Sequence, residues 1–215
     1  MRFAKNEFYH IYNRGVEGRD IFVDKSDYDR FLRCMVAFNH DSPIEMRTLT
    51  EIVSPEKNEM MVSCVAYALM RNHVHMVLRC NDEFKMSRYI QKLFIGYTMY
   101  FNAKYNRKGV LFQGRSKSKH IDNDRYLMHI IDYVHLNPLD YVSTEWRGQG
   151  VTNIKNAQSA LINYTYSSLP EMLHMKQDFV LDHDLIREFL FDINPLKSAL
   201  SWSYGDTISG YYDEN

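Results

Sequence analysis

His73-Val74-His75 places two imidazoles two residues apart. In a strand, side chains alternate between faces, so both rings point to one side while Val74, Met76 and Leu78 point to the other. Such a strand offers a metal ion two nitrogens from one face and keeps an apolar face for a core. Further along, Tyr133-Val134-His135-Leu136-Asn137-Pro138 supplies a phenol with an amide one helical turn after it. These residue types suit metal-assisted attack by tyrosine on a phosphodiester. A phenol, with a pKa near 10, is a poor nucleophile at neutral pH without help. A divalent cation on the scissile phosphate withdraws charge from phosphorus and aligns it for in-line attack. Two imidazoles and an amide oxygen make a three-ligand site with positions left for phosphate oxygens and water. Nitrogen and oxygen ligation without thiolate suits Mg2+ or Mn2+, with zinc less favoured.

Each signal alone is weak. Isolated strand histidines are more often structural than ligating, and most of the 16 tyrosines must be packing residues. Their combination says more. At about 100° per residue, Tyr126, His129, Tyr133 and Asn137 share one helix face, roughly 100° around from the apolar stripe Leu127, Ile130, Ile131 and Val134. That predicts a location at the rim of a helix–sheet contact, with Tyr126 the competing nucleophile two turns before Tyr133. His120 and His129 read as substrate contacts or surface residues near the site, and His135 as structural.

The elements that must position these groups follow from periodicity. Phe8 to Asn13 reads as a strand ending in the turn-prone Asn13-Arg14-Gly15. A helix is expected from about Ser26 as N-cap, with Tyr28, Phe31, Leu32 and Met35 at helical spacing. Asp41 to Asn58, with Pro43 and Pro55, reads as a loop or insertion. Met61 to Met70 is nearly continuous apolar sequence, as in a strand buried on both faces, and Arg71-Asn72 turns it into the His73–Arg79 strand. Lys85 to Tyr105 forms an amphipathic helix, followed by a polar strand ending about His120. A last helix, capped by Asp122 or Asp124, runs to Asn137 and is stopped by Pro138. Ile186, Phe189 and Leu190 suggest a further short helix. The order predicts an α+β, ferredoxin-like βαββαβ fold with an antiparallel sheet, plus a following helix that carries the tyrosine.

Charge is unevenly spread. Net charge is −1, yet Phe84 to His120 holds nine Lys/Arg and no Asp/Glu, leaving 17 basic and 27 acidic groups elsewhere. A polyanion-binding face and a solvated helix face both produce such asymmetry. Lys85, Arg88, Lys92, Lys104, Arg107, Lys108, Arg115, Lys117 and Lys119 are candidates for phosphate contacts, which position DNA without reading it. Tyr97, Tyr100, Phe101 and Tyr105 could stack on bases, but at helical spacing they are more often core residues. Cys34, Cys64 and Cys80 lack metal or disulfide spacing and read as buried thiols of a reducing cytoplasm. No run suits a membrane span or a signal peptide.

Ala68-Leu69-Met70-Arg71-Asn72-His73-Val74-His75-Met76-Val77-Leu78 resembles the HUH block (histidine, hydrophobic residue, histidine) of single-tyrosine transposases, most nearly the REP-associated tyrosine transposases and their insertion-sequence relatives. Tyr12-Asn13-Arg14-Gly15, Gly109-Val110-Leu111-Phe112-Gln113-Gly114-Arg115 and Asp132-Tyr133-Val134-His135-Leu136-Asn137-Pro138 extend the likeness over roughly residues 6 to 142. The resemblance implies His73 and His75 as metal ligands, Tyr133 as nucleophile, and Asn137 in a third-ligand position where relatives carry glutamine or asparagine. It implies a single-stranded or hairpin DNA partner, contacted through Arg14 and the basic stretch, and a 5′-phosphotyrosine intermediate. It also admits a homodimer in which the tyrosine helix completes its own or its partner's site. Residues 1–145 would form the transposase domain and 146–215 an acidic extension of unassigned role. A non-catalytic hairpin-DNA-binding protein on the same fold is the alternative. A structural zinc domain is disfavoured for want of thiolate ligands.

Overall fold

The computed structural model describes residues 2–41, 59–143, 145–173, 179–190 and 194–201. Beyond Asp41, the stretch expected as a loop or insertion lies outside the described residues, as do 202–215. Four strands, β1 (Phe8–Arg14), β2 (Val62–Met70), β3 (His73–Cys80) and β4 (Lys117–Ile121), form one sheet in the order β2-β3-β1-β4. Every neighbouring pair is antiparallel. With α1 (Lys25–Ala37) after β1 and α2 (Met86–Lys104) after β3, this is the expected ferredoxin-like arrangement, and α3 (Asp124–Leu136) follows β4.

Alternation along the strands sorts side chains into two cores. Tyr9, Ile11, Val74, Met76 and Leu78 pack with α1 and α2 on one face. Phe8, Val65, Val77 and Ile121 pack on the other with Leu127, Ile130, Ile131 and Val134 of α3. All nine residues of β2 are buried, as its apolar run requires.

Three local devices differ from the sequence expectation. The N-cap of α1 is Asp24, with Asp27 closing a capping box, because Asp24 Oδ1 rather than Ser26 accepts from the first turn. Asn123, not either flanking aspartate, caps α3 through Tyr126 N at 2.8 Å. α3 ends at Leu136, just before Pro138 as expected, but the chain runs on into a 3-10 segment, Asn137–Tyr141, in whose first turn the missing N–H of Pro138 costs nothing.

The turn after β1 explains a second sequence block. A Cβ on Gly15 would lie 2.1 Å from the Arg19 carbonyl oxygen, so only glycine fits. Gly15 N donates to Asn72 O, Val16 N to Leu111 O, and Gln113 N to Arg14 O. The Tyr12–Gly15 and Gly109–Arg115 stretches are thereby tied to each other and to the turn preceding His73.

After residue 145 come α4 (Trp146–Gln149), α5 (Ile154–Asn163), α6 (Leu169–Met172), α7 (His183–Leu190) and α8 (Pro195–Leu200). Trp146, Leu161, Leu169, Leu185 and Ala199 join the core beneath α3. Backbone bonds from Tyr166, Ser168 and Asp182 run along the outer side of β2. Among the described residues, no helix is long and apolar enough to cross a membrane.

Candidate active site

The histidine strand and the tyrosine helix meet as the spacing predicts. β3 presents His73 and His75 on the face covered by α3, and the β1 register sets Arg14 opposite His73 and Tyr12 opposite His75. On β4, Lys117 lies opposite Tyr12 and Lys119 opposite His10, so both lysines share this face. The Tyr133 ring meets His75 edge-on at 5.7 Å between centroids, and His73 and His75 are themselves 5.0 Å apart. The Asn137 side chain reaches His73 by a hydrogen bond that favours the charged imidazole. Both halves of the site come from one chain.

His10 is a member of the site that periodicity alone leaves inside a strand. It is buried, its Nε2 lies 2.9 Å from His75 Nδ1, and its ring stacks on Tyr12 and His75. A sequence signal existed: His10 and Tyr12 have the same i, i+2 alternation as His73 and His75.

Burial sets the electrostatics of the three imidazoles. Desolvation holds His73 down at about 4, Asp140 partly opposing it. Burial, then neighbouring His73, His10 and Arg147, pushes His75 well below its ordinary value. Burial and the Lys119 charge bring His10 to about 3. All three rings are therefore neutral at pH 7, the form that can ligate a metal.

The donor set fits a divalent cation. His73 Nδ1 lies 2.7 Å from Asn72 Oδ1, an acceptor, so its proton sits on Nδ1 and Nε2 would be the nitrogen to hold a metal. For His75 the same outcome requires His10 Nε2 to accept from Nδ1–H. The Asn137 amide is oriented by its Nδ2, which donates to Tyr133 O at 2.8 Å, leaving Oδ1 as the donor atom beside His73. Among the described residues no cluster of three His, Cys, Asp or Glu side chains is arranged to hold a metal.

A second residue missed in the sequence is Arg147. Its Nη1 donates to the Tyr133 hydroxyl at 2.7 Å and its Nη2 to Asn137 Oδ1 at 3.1 Å. Asp140 anchors it through both carboxylate oxygens, and Trp146 Nε1 donates to the same Asp140. This cover corrects one expectation. Tyr133 and Asn137 are buried rather than at a rim, because Trp146 and Arg147 fold back over them, and Tyr126 is buried as well.

The basic stretch divides between layers. Lys117 and Lys119 stand on the site face, Lys117 over the Tyr12 ring, and Arg115 is exposed on the approach to β4. On the α2 side, Lys85 and Arg88 pair with Asp41, Lys92 donates to the His40 carbonyl, and Lys104 joins Asp24 and Asp27. Arg107 caps the Phe101 ring and Lys108 is exposed. Tyr97 and Phe101 are core residues. His120 is on the far face, opposite Tyr9, and pairs with Glu7. His135 is buried against Ser168 Oγ, as its structural reading expects.

Comparison with known proteins bears on this arrangement. No protein with a curated description matches the chain. It superimposes on the solved structure of a REP-associated tyrosine transposase bound to a REP hairpin, with a TM-score of 0.54 and 12% identity, over 85% of this chain and 94% of the other. At that identity the likeness is one of fold. Residues 37–137, which include β3 and all of α3 with Asn137, match the family described as "Transposase IS200 like". Over residues 37–137 the chain is therefore similar to the IS200-like transposases.

Proposed function

We propose that this chain is a single-tyrosine transposase that cuts and rejoins single-stranded DNA beside a hairpin, through a 5′-phosphotyrosine link to Tyr133. The observation that carries the reading is the laying of α3 across the histidine face, which brings the Tyr133 ring against His75 and Asn137 against His73. The family match supports strand transfer as the reaction class. The likeness to a protein bound to a hairpin supports hairpin DNA as partner.

In this reading the Tyr133 oxygen attacks the scissile phosphorus. A bond to Tyr133 forms as the bond to the 3′ oxygen breaks, the phenol proton passes to solvent, and the departing oxygen takes a proton from water. His73, His75 and Asn137 would hold Mg2+ or Mn2+, which when bound draws charge from the phosphate. The phosphodiester bond energy stays in the tyrosine link, so a free 3′-hydroxyl can later reseal DNA without ATP. Arg14, Arg115, Lys117 and Lys119 hold the DNA backbone at the site face. On the other layer Lys85 and Arg88 are held by Asp41 and Lys92 by the His40 carbonyl, so that Arg107 and Lys108 serve more distant phosphates.

The test incubates protein and Mn2+ with a 3′-labelled oligonucleotide spanning an inverted-repeat hairpin found beside the gene. Label should comigrate with denatured wild-type protein, vanish in Tyr133→Phe, and vanish in the His73→Ala/His75→Ala pair while hairpin binding persists. An adduct kept in Tyr133→Phe but lost in Tyr126→Phe would move the nucleophile. Absence of any adduct in wild type would favour a non-catalytic hairpin-binding protein.

A further inference from the structure

Arg147 lies outside the family-matched stretch, and the attack by Tyr133 on a metal-bound phosphate does not require it. Yet its guanidinium stands where the site converges. Nη1 donates to the Tyr133 hydroxyl at 2.7 Å and Nη2 to Asn137 Oδ1 at 3.1 Å. Nε and Nη2 grip Asp140 at 3.2 and 2.7 Å, and the guanidinium carbon lies 5.4 Å from the Tyr133 ring centroid and 4.7 Å from that of Trp146. Asp140 is itself fixed by Trp146 Nε1 at 2.8 Å. A residue serving only to fasten α4 to the preceding 3-10 turn would need the Asp140 pair alone. Here one fork of the guanidinium is aimed at the reacting oxygen.

We propose that Arg147 is a catalytic residue of the tyrosine transfer, stabilising negative charge on the Tyr133 oxygen in both directions of the reaction. The inference rests on the single-tyrosine reading and deepens it. Arginine remains protonated throughout, so it is not the base. During cleavage, charge develops on Tyr133 as its proton leaves to solvent, and Nη1 already points at that atom. During rejoining, a DNA 3′-hydroxyl loses its proton to solvent and bonds to phosphorus. The bond from phosphorus to Tyr133 breaks, and the departing phenolate is met by the same N–H before it regains a proton from water. Donors fixed in advance at a developing oxyanion avoid reorganisation when the charge appears. The Asp140 grip supplies that fixing. Burial works against the guanidinium charge, but Asp140 and Tyr133 together raise its affinity for the proton above the ordinary value.

The test compares wild type, Arg147→Ala and Arg147→Lys in single-turnover adduct formation on the labelled hairpin oligonucleotide, with hairpin affinity and thermal melting measured in parallel. Arg147→Ala should slow adduct formation by roughly 100-fold, the scale of losing one oxyanion donor, with hairpin affinity changed by less than about threefold (tenfold being about 1.4 kcal/mol). Guanidinium ion at tens of millimolar should restore a substantial part of the lost rate, and methylammonium much less. Arg147→Lys keeps a charge over Trp146 without the fork, and should fall between the two. This variant keeps the question answerable if the alanine variant does not fold. Wild-type rates in folded Arg147→Ala or Arg147→Lys, or a slow alanine variant whose loss follows only its folded fraction and ignores guanidinium, would overturn the inference and leave the transposase reading standing. No adduct in wild type would overturn both.

Discussion

Replacing His10 with phenylalanine should weaken divalent-metal binding without touching any ligand. For His75 Nε2 to ligate, its proton must sit on Nδ1, and the group 2.9 Å away that can accept it is His10 Nε2. Burial keeps His10 neutral, so one ring nitrogen remains able to accept. Phenylalanine fills a slot of similar size between Tyr12, His75 and Tyr133 but accepts nothing. The metal-free variant can move the His75 proton to Nε2. The metal-bound variant cannot, and carries a buried unpaired N–H that costs about 1–3 kcal/mol. That corresponds to a loss of roughly tenfold to a hundredfold in metal affinity, the range found for partners behind ligating histidines. The measurement is a Mn2+ titration followed by electron paramagnetic resonance of the free ion, with hairpin affinity in metal-free buffer as the control. His10→Gln, whose side-chain oxygen can accept, should recover much of the affinity. Equal Mn2+ affinity in wild type and His10→Phe, or His10→Gln binding as weakly as His10→Phe, would refute the tautomer argument.

Two further outcomes are expected. Charge reversal at Lys117 and Lys119 should lower the slope of log affinity against log salt by about 0.7 for each phosphate of single-stranded DNA that is no longer neutralised, whereas reversal at Lys85 and Arg88, already paired with Asp41, should change it far less; equal effects of the two pairs would contradict the division between layers. Stability should fall as pH drops below about 6.5: burial holds His135 at about 3, and burial with the Lys119 charge does the same for His10, so in this window the unfolded chain binds protons the native state refuses. By linkage each histidine removes about 2 kcal/mol between pH 8 and pH 5. Asp132, raised by burial to about 7, acts in the opposite sense, its contribution being lost as pH rises through 7. Denaturant melts at pH 8, 6.5 and 5 measure the balance, and equal stability at all three would contradict it.

What the sequence made legible was local periodicity. The alternation of His73, Val74 and His75 assigned a face, the spacing of Leu127 to Val134 assigned the helix stripe, and together they allowed Tyr133 and Asn137 to meet the imidazoles if the helix packed on that face. What stayed hidden depends on long-range register or chain reversal. His10 meets His75 only because β1 pairs with β3 in one particular register. Arg147 meets Tyr133 because a 3-10 turn reverses the chain after α3, and no periodicity marks a single arginine in a short polar helix. The basic stretch misled in the other direction. Its residues are contiguous in sequence but fall on α2 and β4, which face different layers, and the acids that pair with α2 come from elsewhere in the chain. The short helices after residue 145 had few spaced apolar residues, yet Trp146, Leu161 and Leu169 suffice to seat them because the sheet supplies the rest of the packing surface.

The segments lying along β2 give the sheet two unlike borders. Leu69 N donates to Tyr166 O, Ser168 N donates to Tyr67 O, Asp182 N donates to Cys64 O, and the Tyr164 hydroxyl donates to Leu69 O. The most apolar strand of the molecule therefore offers little backbone for a stray chain to zip onto, which guards against aggregation at the place where its composition invites it most. The other border, β4, is short and carries Lys117 and Lys119, whose like charges would repel a second copy of the same strand. A newly made chain acquires the first protection only when Tyr164, Tyr166, Ser168 and Asp182 have been synthesised and laid along β2. Until then a nine-residue apolar strand stands open, so truncation before that point should yield insoluble protein even though β1 to β4 and the proposed catalytic tyrosine would be present.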